Sequence, residues 1–120
     1  RVRRAVKDGQ FEFVGGGAVE HDEALATWEA VVEQLGLGHD WLDRNFGVRP
    51  TVAWQIDSAG HSDVTPTLLA MAGFDALVVN RIHYRLKQQF KTEKHLEFIW
   101  RGPDLTGNLD GEVPPSSGNA

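Results

Sequence analysis

Thr51-Val52-Ala53-Trp54-Gln55-Ile56-Asp57-Ser58-Ala59-Gly60-His61-Ser62 is the stretch on which the reading of the fold turns. Its first six residues are largely apolar, with β-branched members, and predict a short buried strand. Asp57 to His61 reads as the loop that follows, with Gly60 allowing a tight turn. Ser62 can cap a short helix running to about Met71 and ended by Gly73. Phe74 to Val79 is a second apolar run and predicts a second strand. Upstream, Leu25, Trp28, Val31, Val32, Leu35, Trp41 and Leu42 fall at the three-four spacing of a one-sided helix. Asp22 and Glu23 suit its start, where the helix dipole favours acids. Gly36 and Gly38 are expected to weaken its middle, and Gly47 and Pro50 to stop it. Residues 1–9 read as a helix end closed by Gly9. Residues 11–14 and 96–100 read as further short strands. Strand–helix–strand–helix–strand order predicts an α/β fold of parallel βαβ units with right-handed crossovers. Trp28, Trp41, Trp54 and Trp100 fall mostly at core-like positions.

The chain has 120 residues, 41% of them apolar, and 12 basic against 17 acidic residues give a net charge of −5. No apolar run reaches the roughly 18 residues of a membrane span. Arg1-Val2-Arg3-Arg4 is basic but precedes no apolar stretch, so no signal peptide is expected. No methionine opens the chain, which suggests a piece of something longer. The acidity argues against nucleic acid, because no basic surplus faces phosphates. The basic stretch 81–94, interleaved with Tyr84 and Phe90, therefore reads as a solvated face. The absence of cysteine excludes disulfides, thiolate zinc sites and cysteine nucleophiles together. The elements read above lie within residues 1–101. Residues 102–120 hold four Gly and three Pro and read as a disordered tail.

In parallel sheets, chemistry collects past the carboxyl ends of the strands. Asp57 lies one residue beyond Ile56 and is the first candidate. A carboxylate there can bind a cation or act as a nucleophile, or it can cap the following helix. His61 could join it or hydrogen-bond the loop backbone. Arg81 follows the apolar run ending at Val79 and so lies at a second strand end. Its fixed fork of donors could hold substrate oxygens or form a surface ion pair. His21, His39, His83 and His95 show no metal-ligand spacing among themselves.

These residues resemble the family 38 glycoside hydrolases, the class II α-mannosidases. Phe13-Val14 through Gly17, then Val19 and Asp22-Glu23-Ala24, resemble the family's EFVxGGWVMxDEA stretch. Gly38-His39-Asp40-Trp41-Leu42 and Phe46-Gly47-Val48-Arg49-Pro50 resemble GHQWLxxNxGVxP. Trp54 through Ser62 is similar to WxIDPFGHS. Arg81-Ile82-His83-Tyr84 through Lys87, then Leu96 through Arg101, resemble RxHYxxK and LEFxWR. The last block is closer to the Golgi type than to the lysosomal type.

The resemblance implies a (β/α)7-type barrel and retaining, zinc-dependent hydrolysis of terminal α-mannosides of N-glycans in the secretory lumen, in the Golgi rather than the lysosome. It places both the nucleophile and a zinc ligand on Asp57, and a substrate contact on Arg81. The remaining zinc ligands and the acid/base carboxylate would lie outside these residues, so the 120 residues alone are expected neither to hold zinc tightly nor to hydrolyse a glycoside. Departures are visible: Ser58-Ala59 stands where the family has Pro-Phe, and Ala18 and Glu20 where it has Trp and Met. The alternative is a non-catalytic glycan-binding or structural domain that keeps the fold.

Overall fold

The structure, a computed structural model, describes residues 1–103. It is a mixed α/β arrangement. The elements in order are α1 (Val2–Lys7), α2 (Trp28–Phe46), β1 (Val52–Gln55), α3 (Thr65–Met71), β2 (Ala76–Val79) and α4 (Tyr84–Glu93). β1 and β2 form a two-stranded parallel sheet in which Val52 faces Ala76 and Gln55 faces Val79. The β1–α3–β2 unit is the βαβ unit that the apolar runs predict.

α2 begins later than its apolar spacing suggests. Asp22 Oδ1 accepts the N–H groups of Ala24 (2.7 Å) and Leu25 (3.2 Å), closing a turn of its own. Thr27, in extended conformation, then caps the helix by accepting from Ala30 N–H. A side chain that bonds its own backbone competes with helix, and here it wins until the threonine. Leu25 is left 86% exposed. The helix ends as expected at Gly47, whose φ of +68° lets its N–H reach Asp43 O at 2.8 Å.

Gly36 and Gly38 do not break α2. Gly38 is where the glycine loop 15–17 lies against the helix. A Cβ on Gly38 would stand 2.5 Å from Gly17 C and 2.6 Å from Ala18 N. Ala18 N–H donates to Gln34 O at 3.1 Å, fixing that approach. Gly36 has open space around it.

The core joins Val31 and Leu35 of α2, Ala53 of β1, Leu69 of α3, and Phe74. The tryptophans are not in it. Trp28, Trp41 and Trp54 are 59%, 58% and 41% exposed. Trp41 lies off the stripe of α2 that carries Val31, Leu35 and Leu42, Trp28 is the first residue of the helix, and Trp54 alternates with the buried Ala53 and Gln55 on β1. Trp41 instead packs on Phe46, with ring centroids 5.8 Å apart.

Two expected strands are absent. In residues 11–14 the alternation serves aromatic packing: Phe11 meets Phe13 edge-on at 5.2 Å, and Phe13 meets Phe46 at 4.9 Å. Residues 96–100 run beside β2 without joining its ladder. With Phe74 and α3 they line an apolar groove of about 540 Å³. Phe98 is held by Phe90 of α4 at 5.6 Å, so side-chain packing again replaces a ladder. α4 buries no residue and carries the basic stretch as a solvated face.

Of the expected tail, Gly102 and Pro103 rest on α3, where Thr67 Oγ1 donates to Pro103 O at 2.9 Å. Residues 104–120 of the expected disordered tail lie outside the described residues. Among those described, no helix is long and apolar enough to cross a membrane.

Candidate active site

Parallel register builds the site. Gln55 and Val79 are paired across the sheet, so the residues two places further on, Asp57 and Arg81, emerge side by side at the carboxyl end. Arg81 Nε donates to Asp57 Oδ1 at 2.7 Å, and Arg81 Nη2 donates to the same oxygen. Asp57 Oδ2 receives no hydrogen bond from any described residue. The two side chains are 69% and 57% exposed, so water screens the pair and its contribution to stability is small. Its value lies in orientation. Asn80 braces the same end: its Nδ2 donates to Ile56 O at 3.3 Å, and Lys87 Nζ donates to Asn80 O at 3.0 Å and to its Oδ1 at 2.6 Å.

Behind Asp57 the loop turns inward. Ser58 is buried and donates through Oγ to Gln55 Oε1 at 3.2 Å. Gln55 Nε2 donates to His21 Nε2 at 3.0 Å, and Gln34 Nε2 lies 3.3 Å from His21 Nδ1. Burial holds the His21 ring below its ordinary pKa of 6.5, against the opposing pull of Glu23, Asp22 and Glu20.

The loop's far end is held by a residue that sequence reasoning placed elsewhere. Glu23 does not start a helix. Its carboxylate is 1% exposed and accepts from His61 Nδ1 (2.9 Å), Ser62 N–H (2.8 Å) and Thr65 Oγ1 (2.5 Å). His61 therefore pairs with an acid 38 residues away instead of with its own loop backbone. Ser62 sits ahead of α3 instead of capping it closely; its Oγ accepts from Val64 N–H at 3.4 Å. One signal pointed to Glu23: Thr27 is the better cap, which leaves the earlier acid without local employment.

The donor set near Asp57 is thin for a metal. Among the described residues no group of three or more His, Asp or Glu side chains could hold an ion. The nearest charged neighbour of Asp57 is the Arg81 cation. A catalytic zinc site requires about three protein ligands. The described residues alone do not fit one.

The sequence is similar to those of known proteins. Residues 1–113 match the glycosyl hydrolases family 38 N-terminal domain. The chain is 53% identical to Alpha-mannosidase F of Dictyostelium discoideum over 97 residues, 81% of this chain and 10% of that protein. It is 44% identical to Alpha-mannosidase 2 of Rattus norvegicus over 100 residues, 83% of this chain and 9% of that protein. Identity to the Epididymis-specific alpha-mannosidase of Sus scrofa is 44% over 102 residues, 85% of this chain and 10% of that protein. The chain thus spans about a tenth of the length of the curated relatives it matches. A match that covers nearly the whole chain, with Asp57, Arg81 and the Glu23 turn all inside it, means that the chain belongs to the N-terminal domain of glycosyl hydrolases family 38.

Proposed function

We propose that this chain supplies part of the catalytic domain of a retaining, zinc-dependent α-mannosidase that acts on terminal α-mannosides of N-glycans. The carrying observation is the Asp57–Arg81 pair, with one carboxylate oxygen held and the other open. Asp57 Oδ2 attacks the anomeric carbon, the glycosidic C–O bond breaks, and the departing oxygen takes a proton from a second carboxyl group outside these residues. Water then takes the sugar from Asp57, its proton returning to that second group. Arg81 retains further guanidinium donors for sugar hydroxyls. Zinc is the cofactor of this reading. Asp57 would be one ligand, with the others supplied from outside the chain.

In this reading the β1–α3–β2 unit is one portion of a (β/α)7-type barrel. The apolar groove between α3, β2 and residues 96–100, bordered by the exposed Ile99, supports it, since a contiguous open apolar face marks a surface that another layer covers. Residues 1–101 then belong to the catalytic domain. The substrate is a mannose-containing oligosaccharide, and the compartment is the secretory lumen, in the Golgi. The relatives' names support the mannoside substrate, since the proteins to which the chain is similar are α-mannosidases; the compartment is supported by the resemblance of residues 96–101 to the Golgi type.

The test is Asp57→Asn in the full-length protein. Turnover of p-nitrophenyl α-mannoside should fall at least about a thousandfold with the circular dichroism spectrum unchanged. Normal turnover would remove Asp57 from the nucleophile role. A second reading, a glycan-binding or structural module without turnover, is favoured by Ala59, which is exposed and leaves the loop after Asp57 without the aromatic wall that the family's Phe would give a catalytic pocket. Mannoside binding without hydrolysis by the wild-type protein would select it.

A further inference from the structure

We infer that Glu23 is a positioning residue for Asp57, acting through the loop that carries it. Residues 57–62 have no helix or strand of their own, and Asp57 is largely exposed, so its placement depends on the few contacts that hold the loop: Arg81 on Asp57 itself, Ser58 on Gln55, and whatever fixes the two ends. β1 fixes one end. Glu23 fixes the other, gathering His61, Ser62 and Thr65 on a single carboxylate.

The mount itself is stiff. Asp22 closes the turn that carries Glu23, by accepting from Ala24 and Leu25 N–H groups, and Ala26 N–H donates back to Asp22 O at 3.2 Å. His21, two residues before Glu23, is tied to β1 through Gln55. Both ends of the Asp57 loop therefore refer to the same strand. A carboxylate accepting several donors in a dry site forms strong, directional bonds, and losing one leaves buried groups unpaired. His61 Nε2 is already buried without a partner, so beyond an edge-on contact with Trp100 at 6.4 Å the ring has no second hydrogen bond among the described residues. If Glu23 lets go, the ring and the loop move together.

The inference rests on Asp57 being the nucleophile, and its test separates the two. In the full-length protein, Glu23→Gln should lower kcat for p-nitrophenyl α-mannoside by about tenfold to a hundredfold while KM stays within about threefold, the signature of a displaced reacting group. Thr65→Val, which removes one hydroxyl donor at nearly constant shape, should show the same split to a lesser degree, and Thr65→Ser should restore kcat. Should Glu23→Gln fail to fold, the Thr65 pair decides alone. A Glu23→Gln or Thr65→Val protein that unfolds at lower temperature but keeps kcat, or that changes KM only, would overturn the inference and leave a purely stabilising role. Full turnover in Asp57→Asn would instead overturn the nucleophile reading.

Discussion

Arg81 lays two N–H groups on one oxygen of Asp57 and leaves the other to the solvent. A lysine could match the charge but not the fork. Arg81→Lys in the full-length protein should lower kcat/KM for an α-mannoside by about tenfold or more, measured by steady-state kinetics; unchanged kcat/KM would mean the fork is idle. His21 gives a residue-scale prediction of a different kind. Its folded pKa is depressed by burial, so protonation favours the unfolded chain. The stability it contributes is complete above the ordinary value of 6.5 and is lost as pH falls through the lower folded value. Thermal melting of the chain from about pH 8 to about pH 5 should fall less steeply in His21→Asn than in the wild type. Asp57 and Arg81 could be read from sequence because each follows an apolar run, and strand ends locate chemistry. For Glu23 the sequence offers only the hint that Thr27 is the better cap; its partners are 38 to 42 residues away, and only the fold identifies them.

At the scale of elements, two glycines in one helix should respond oppositely to the same substitution. Gly36→Ala meets open space and should stabilise the chain by about 0.5–1 kcal/mol, the usual gain from alanine within a helix. Gly38→Ala would drive a Cβ into the backbone of residues 17 and 18 and should destabilise despite the same propensity gain. Melting temperatures of the two variants check this, and a rise in both would contradict the packing described. The sequence pattern located α2 by its periodic apolar residues, β1 and β2 by their continuous apolar runs, and α3 by Ser62 before it and Gly73 after it. It over-read residues 11–14 and 96–100. Alternating large side chains there are satisfied by Phe46 and Phe90, and alternation alone does not supply a strand to pair with.

The molecule as a whole presents a small core and a broad apolar exterior. Ile99 is 87% exposed and borders the groove beside β2, where a further layer of the proposed barrel would lie. The same incompleteness governs the metal. With no convergent ligand group among the described residues, the 120-residue chain should bind zinc no more tightly than about micromolar. Calorimetric titration showing sub-micromolar affinity would contradict this. The central claim, that Asp57 is the nucleophile of a retaining α-mannosidase, is tested most directly by trapping the glycosyl-enzyme. The full-length protein would be treated with a fluorinated mannosyl fluoride, digested, and its labelled peptide sequenced by mass spectrometry. A fluorinated mannosyl ester on Asp57 is expected; a label on a different carboxylate would exclude Asp57 as the nucleophile.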